Sequence, residues 1–328
     1  MRELRNSYLS IFGWGVFLAS ALSLGSCSSD ETIDAIQGED ITFGNAFVEN
    51  STRAAEDPSY NNTNKLISQF NVWGTVTGNT DNTINVFNGA SVTRGDKAYG
   101  EAWTCDQTQY WIPDATYKFM AIAHGTVASS DANKMPLTIS YTADGSTDLL
   151  LGELSNKGIK EVTTDGAAVP EIGVTEDNVV NFTMSHLLSK AVFTFNNTDA
   201  SATLTVSNIQ ITGLHKIGTY TIASNTWKSE TAADALSFGG SVVEAGKSNT
   251  CTDERLIIPG TYNITITFTV SDNKSGKPQK MKATIENHTF AIGNSYNFTA
   301  DIKSGVKYIE FIINASDWAA GSDNNIQG

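Results

Sequence analysis

Short stretches in which apolar and polar residues alternate recur along the chain from residue 41 onward, with almost no helical periodicity. "FNVWGTVTG" (70–78), "TINVFNGASV" (83–92) and "TYNITITFTVSD" (261–272) are typical of them. Alternation with a period of two places every second side chain on the same face of a β-strand. Glycine, asparagine, aspartate and proline separate the stretches at the spacing of an all-β protein. We therefore expect an all-β fold built from β-sandwiches.

The size of the chain suits two domains or one large β domain, since it has 328 residues and a mass of 35.2 kDa. Two apolar strands flank "SHLLSK" within "VVNFTMSHLLSKAVFTFNN" (179–197), whose centre is either a break or one helical turn. We place a domain boundary there, with one β-sandwich domain at 54–187 and a second at 188–328. The formal net charge is −14. Because such a surface repels phosphate backbones, we expect no nucleic-acid partner.

The N-terminus has the order of a secretory signal. Arg2 and Arg5 precede the apolar stretch "IFGWGVFLASALSL", which is short for a membrane span, and small residues follow it. The segment ends in "LGSC", which resembles a bacterial lipobox, where the cysteine thiol is acylated. We therefore expect a lipoprotein signal peptide at residues 1–26 and a lipid on Cys27. An ordinary signal peptide with an incidental cysteine is the alternative.

A single basic residue follows the first strand-like stretch. In "ITFGNAFVENSTRAAED" (41–57), Arg53 is the only lysine or arginine between Arg5 and Lys65. As a regular strand, "ITFGNAF" would present Ile41, Phe43 and Phe47 on one face, with Asn45 between them.

The last strand-like stretch has a similar opening. "IEFIINA" (309–315) would place Ile309, Phe311 and Ile313 on one face, followed by Ala315. A regular C-terminal strand of the second domain explains this pattern equally well.

Motifs of catalysis and metal binding are missing from the sequence. The four histidines do not stand at zinc-ligand spacing, and no nucleophile elbow or phosphate-binding glycine loop follows a strand. We expect a protein that is not an enzyme and that has no cofactor or metal. Paired carboxylates for glycoside hydrolysis assemble from distant strands, so they leave no local motif.

The remaining cysteines and the aromatic cluster leave alternatives open. Cys105 and Cys251 could pair only within about 7 Å between their Cα atoms, and buried free thiols are the default. Trp103, Tyr110 and Trp111 would fill a core or line a sugar-binding platform. The platform would make the chain a surface glycan-binding lipoprotein that stays tethered through Cys27.

Several segments together resemble the fimbrillins, in particular the Mfa-like fimbrillin family of surface pilins. The resemblance rests on segments spread over the chain: "LGSC", "ITFGNAFVENSTRA", "FNVWG", "YWIPDATYKFMA", "VNFTMSHLLSKAVFTF", "LIIPGTYNITITF" and "ASDW". It implies two tandem transthyretin-like sandwiches, export as an outer-membrane lipoprotein, trimming by an arginine-specific protease and polymerisation by donor-strand exchange.

The resemblance assigns roles to particular residues. Arg53 matches the trimming position, so cleavage would fall between Arg53 and Ala54 and remove a propeptide at 27–53. Ile41, Phe43 and Phe47 would then fill a groove of the first domain until trimming. Ile309, Phe311 and Ile313 would form a donor strand. The expected product is an adhesive surface fimbrium built with other fimbrial subunits, in which the chain is a stalk or a tip subunit.

Overall fold

A computed structural model describes ten ranges of the chain: 40–48, 67–77, 83–97, 101–112, 115–127, 135–157, 159–161, 168–170, 179–305 and 308–318. All of them lie in one compact unit, Gly38–Gly328. The described residues form β-strands and turns and contain no α-helix, which confirms the expected all-β fold. No helix within these ranges is long and apolar enough to cross a membrane.

The first half of the chain contributes strands β1 to β11. Their bounds are β1 (Thr42–Val48), β2 (Gln69–Thr77), β3 (Thr83–Thr93), β4 (Thr104–Cys105), β5 (Thr116–Ala123), β6 (Thr126–Val127), β7 (Thr138–Thr142), β8 (Leu150–Lys157), β9 (Ile159–Glu161), β10 (Ala168–Pro170) and β11 (Val179–His186).

The second half contributes strands β12 to β23. Their bounds are β12 (Ser189–Asn197), β13 (Leu204–Thr212), β14 (His215–Thr221), β15 (Thr226–Ala232), β16 (Leu236–Phe238), β17 (Ser241–Val243), β18 (Ser248–Thr250), β19 (Arg255–Ile257), β20 (Gly260–Asp272), β21 (Gln279–Phe290), β22 (Asn294–Ile302) and β23 (Phe311–Asp317).

Strand β20 shows why these sequences form sheets with one buried face. Its alternate residues Ile264, Ile266 and Phe268 are buried, while the threonines between them are less buried. A period of two thus matches one face to the core and the other to solvent. The alternating stretch predicted at 70–78 is β2, and the stretch predicted at 83–92 is β3.

The first core lies within a seven-stranded sheet of order β1-β11-β8-β5-β2-β3-β4. β1 pairs with β11 in parallel, and the other pairs in this sheet are antiparallel. The two end strands of this sheet, β1 and β4, also lie close together. Trp103, directly before β4, donates its backbone N–H to the carbonyl oxygen of Phe43 in β1. The sheet therefore closes around its own apolar face.

The second core lies between two sheets formed by residues after 188. One has the order β18-β12-β22-β23, with β19 also paired to β12, and the other has the order β16-β13-β20-β21, with β17 also paired to β13. Strands β12 and β22 pair in parallel over 190–197 and 295–302. The buried faces of both sheets share one apolar cluster.

A further sheet joins the two halves of the sequence. Its order is β15-β14-β7-β6, and β7 pairs with β14 from Thr138 to Thr142. A third apolar cluster lies beside it and includes Ile122, Ile139, Leu188 and Trp318. The predicted helical alternative at "SHLLSK" does not occur, since Leu187 and Leu188 form only a break between β11 and β12. The division into domains at 54–187 and 188–328 stays a prediction.

Trp318 anchors the end of the described chain in this third cluster. Its indole stacks on the His186 ring at 3.7 Å between ring centroids, and the Lys190 ammonium lies 5.0 Å from its centre. Its backbone N–H donates to the Gly293 carbonyl oxygen at 2.8 Å. Aromatic stacking, a cation–π contact and burial thus fix the position of the Trp318 side chain.

We expect Trp318→Ala to lower the free energy of unfolding by about 3–5 kcal/mol, because it leaves a cavity where a buried indole packs. Urea unfolding followed by far-UV circular dichroism measures the effect. Tyr308→Ala is the matched control, since Tyr308 is 89% exposed. A loss for Trp318→Ala no larger than that of the control would contradict the role of Trp318 as an anchor.

Candidate functional site

Strand β1 supplies the central side chain of the first core. Phe43 is 0% exposed. Its ring centroid lies 5.1 Å from Phe87, 5.8 Å from Phe119, 6.1 Å from Phe182 and 6.4 Å from Phe70. Aromatic pairs at such distances add to the free energy gained by burial. The first core is therefore complete only when a strand from before residue 49 lies inside it.

The backbone of β1 is paired on both sides. On one side Thr42 lies opposite Val179 and Val48 opposite Met184 in the parallel ladder with β11. On the other side Ile41 donates its N–H to the Gln109 carbonyl oxygen at 2.8 Å, in addition to the 2.7 Å bond from Trp103 to Phe43. Removal of β1 would leave backbone groups without protein partners along both edges of an apolar groove.

A β-bulge changes which residues of β1 face the core. Phe43 lies opposite Val180, but Ala46 lies opposite Phe182, so β1 has one extra residue between them. Ile41, Phe43 and Ala46 are the buried residues of the face. The predicted face of Ile41, Phe43 and Phe47 assumed a regular strand. The backbone of Phe47 pairs with Thr183, and its side chain lies outside the described part of the structure.

Gly44 lets β1 approach β11 closely at the bulge. A Cβ atom at this position would lie 2.5 Å from Cγ1 of Val179 and 2.6 Å from Oδ1 of Asn181. Both distances are far below an ordinary non-bonded contact of about 3.5–4.0 Å. Neither Gly44 nor Ala46 is among the residues predicted from the sequence pattern. A lone glycine inside a strand pattern is the signal that could have found them, because it often marks a bulge or a close approach.

The predicted C-terminal donor residues lie in the second core of their own chain. Ile309, Phe311 and Ile313 pack against that core and are partly buried. Phe311 in particular contacts aromatic rings on several strands, with centroid distances of 5.7 Å to Phe193, 6.0 Å to Phe268, 6.3 Å to Phe298 and 6.4 Å to Phe195. Within the described sheet β23 is a terminal strand that pairs with β22.

The aromatic cluster forms core and not a platform. Trp103 and Trp111 are buried in the first core, and only Tyr110 of the cluster is exposed. Trp111 packs edge-on against Tyr117, whose hydroxyl accepts the backbone N–H of Ile112. Burial raises the pKa of the Tyr117 hydroxyl to about 12. These tryptophans therefore present no stacking surface to a sugar.

The two described cysteines are free thiols in different cores. Cys105 packs against the first core, and Cys251 is buried in the second. Burial, and to a smaller extent the charge of Asp253, raises the pKa of the Cys251 thiol to about 11. Cys251 is therefore a neutral apolar side chain at physiological pH, with little thiolate for chemistry.

Among the described residues, His186 is in close contact with a carboxylate. His186 Nδ1 lies 2.5 Å from Asp148 Oδ2, and the His186 ring stacks on Trp318. Both side chains are largely buried. Among the described residues, no group of His, Cys, Asp and Glu is arranged to hold a metal ion.

The predicted signal peptide, the lipidation residue Cys27 and the cleavage pair Arg53 and Ala54 lie outside the described residues. They stay predictions from the sequence.

Solved structures with a TM-score of 0.50 or more share the fold of this chain at low sequence identity. A fimbrial protein from Bacteroides vulgatus has 15% identity and a TM-score of 0.57, with 84% of this chain and 99% of the other covered. A proposed cell adhesion protein from Bacteroides ovatus has 13% identity and a TM-score of 0.50, and the match covers 87% of this chain and 99% of the other. The tip fimbrial protein Mfa3 from Porphyromonas gingivalis is a weaker match, with 10% identity and a TM-score of 0.43. The match covers 85% of this chain and 100% of the Mfa3 chain.

A family match identifies the chain more directly. No curated protein shows significant similarity to it. Residues 52–318, however, match the family described as fimbrillin-like. The resemblance seen in the sequence is thereby confirmed. Since the match extends over more than half of the chain, this protein belongs to the fimbrillin-like family of structural, non-enzymatic pilus proteins, which associate with other fimbrial subunits at the cell surface.

Proposed function

We propose that this chain is a fimbrial subunit whose N-terminal strand β1 fills a groove until trimming after Arg53, and that a strand of another subunit then replaces β1. The observation that carries the proposal is the place of Phe43, which is fully buried inside the first core although its strand precedes Arg53. Burial of Ile41 and Phe43 stabilises the closed form by about 1.5–3 kcal/mol for each side chain.

The groove left by β1 would suit strand addition. It would expose the rings of Phe70, Phe87 and Phe182 together with the unpaired backbone edge of β11. An incoming strand regains both the main-chain hydrogen bonds and the apolar contacts, as in other cases of β-augmentation. Because donor and acceptor surfaces differ, each addition leaves a new acceptor, and the assembly grows as a filament.

The positions of the other arginines support Arg53 as the trimming site. Among the described residues the arginines are Arg94 and Arg255. Arg94 has its backbone N–H bonded to the Ser68 carbonyl oxygen. The Arg255 guanidinium donates to the Ser237 carbonyl oxygen and to Asp253, and it lies over the Phe238 ring. The family match begins at residue 52, so β1 precedes it.

The proposal includes the export route and the two-domain plan. Residues 1–26 act as a lipoprotein signal, and a lipid on Cys27 anchors the precursor in the outer membrane until an arginine-specific protease cuts Arg53–Ala54. Residues 54–187 and 188–328 form tandem transthyretin-like sandwiches.

Ile309, Phe311 and Ile313 are the candidate donor face. To donate, β23 must leave β22 and Phe311 must leave the second core.

We expect purified precursor to be monomeric until an arginine-specific protease is added, and then to form a ladder of oligomers. Arg53→Ala should fold normally and give no ladder, because the strand stays covalently linked and rebinds its own groove. Size-exclusion chromatography and N-terminal sequencing of the products measure both effects. Arg94→Ala is the matched control and should behave as the original chain does. Oligomers from Arg53→Ala that match those of the original chain would refute the role of trimming.

We expect Phe43→Ala to weaken the hold of β1 without changing the acceptor groove. Deletion of a buried aromatic side chain costs about 3–5 kcal/mol, so β1 should leave its groove without any cut. The variant should therefore form oligomers in the absence of protease, as measured by light scattering. Val242→Ala serves as the control, since Val242 is an exposed apolar residue. A Phe43→Ala precursor that stays monomeric over days would count against the groove-filling role.

A further inference from the structure

We propose that the solvent side of the β16-β13-β20-β21 sheet binds an acidic polysaccharide. Carboxylates of the sugar chain contact Lys280 and Lys282, and sugar hydroxyls contact the threonines beside these lysines. The sheet belongs to the second core and does not contain β1 or β11. The proposal is therefore independent of strand exchange.

Two rows of polar side chains cross this sheet on its solvent side. Each row has one residue from β13, one from β20 and one from β21, and the rows are Gln210–Thr267–Lys282 and Ser207–Thr269–Lys280. Their neighbours along the strands, such as Phe268 and Met281, are buried in the second core. Since side chains alternate between the faces of a sheet, both rows face solvent, where both lysines are exposed. We call the two rows the lysine–hydroxyl face.

The polar groups of the lysine–hydroxyl face are free to bind a ligand. Among the described residues, its serine and threonine hydroxyls have no hydrogen bond within the protein, and its lysine ammonium groups have no ion pair. Farther along the same strands the hydroxyls bond to each other, as those of Thr261 and Thr289 do at 2.8 Å. A ligand that carries both hydroxyls and anionic groups would satisfy the hydroxyls and the ammonium groups together.

The lysine–hydroxyl face is positively charged although the chain as a whole is acidic. The five strands of this sheet contain two acidic residues, Asp272 and Glu286, and neither lies in the two rows. The Asp272 carboxylate accepts the hydroxyls of Ser275 at 2.6 Å and Ser304 at 2.8 Å. Lysines on a terminal strand also discourage pairing along its open edge. That role requires neither the free hydroxyls nor the lack of carboxylates in the rows.

The composition of the lysine–hydroxyl face decides which kind of anion fits. Protein partners are held by apolar and aromatic side chains at the centre of an interface, and the two rows contain none. The net charge of −14 repels the dense phosphates of a nucleic acid. An acidic polysaccharide has hydroxyls for the threonines and widely spaced charges for Lys280 and Lys282, which lie about 7 Å apart along β21.

Binding of the purified precursor to polygalacturonate tests the proposal, with isothermal titration calorimetry at low ionic strength as the measurement. Polygalacturonate in which the carboxylates are methyl-esterified is the control for charge. Polyglutamate of the same length is the control for the sugar, because it has carboxylates without hydroxyls. We expect polygalacturonate to bind at least about tenfold more tightly than either control.

Substitution of the two lysines tests whether binding occurs at this face. Lys280→Gln together with Lys282→Gln should weaken polygalacturonate binding at least about tenfold, because both facing charges are lost. Lys118→Gln together with Lys216→Gln is the matched control. It makes the same change in net charge at two exposed lysines of other sheets, so it should change the affinity less than about twofold.

Substitution of the two threonines tests the role of the hydroxyls. Thr267→Val together with Thr269→Val keeps the β-branched shape and removes both hydroxyls. We expect polygalacturonate binding to weaken at least about threefold, since each hydrogen bond makes a modest net contribution. Binding of polyglutamate should not change.

Three outcomes would overturn the proposal. The first is absence of polygalacturonate binding, and the second is equal weakening by the two lysine pairs, which would mean that only net charge acts. The third is binding of polyglutamate as tight as that of polygalacturonate, which would assign the face to acidic peptides. The measurements use uncut precursor, so none of these outcomes would refute strand exchange.

Discussion

Phe43 is held among the rings of Phe70, Phe87, Phe119 and Phe182, and this contact decides how the first core can be built and opened. It joins a strand before residue 49 to strands that begin after residue 67. As long as the chain is continuous, the strand rebinds its groove as an intramolecular event. A cut between them makes rebinding bimolecular and removes that advantage of effective concentration. The proposed trimming would therefore act as a switch although it breaks no contact of the core.

The two terminal strands differ in how the fold holds them. β1 is paired on both edges, and its central residue is fully buried. β23 pairs with β22 and is only partly buried, but Trp318 directly after it is fixed in the third cluster. Release of β1 opens a core, while release of β23 also requires the Trp318 indole to leave His186 and Lys190. A donor role for β23 would therefore have to break the contacts of Trp318 as well as the pairing with β22.

Local pattern predicted much of the fold, because alternation such as that of Ile264, Ile266 and Phe268 encodes a strand face directly. It could not predict the β7–β14 pairing or the site of Trp318, since these depend on contacts far apart in sequence. At the candidate site Ile41 and Phe43 are buried in the first core, and the predicted face that includes Phe47 stays a prediction. The bulge then brings Ala46 into the core, which a strict period of two could not anticipate.

The central claim is that β1 is present in the precursor and absent from the assembled subunit. N-terminal sequencing of subunits from polymers isolated at the native cell surface tests it most directly. The account predicts a single N-terminus at Ala54, with no peptide from residues 41–48 in the polymer. Subunits that begin at Cys27, or that retain residues 41–48, would contradict it.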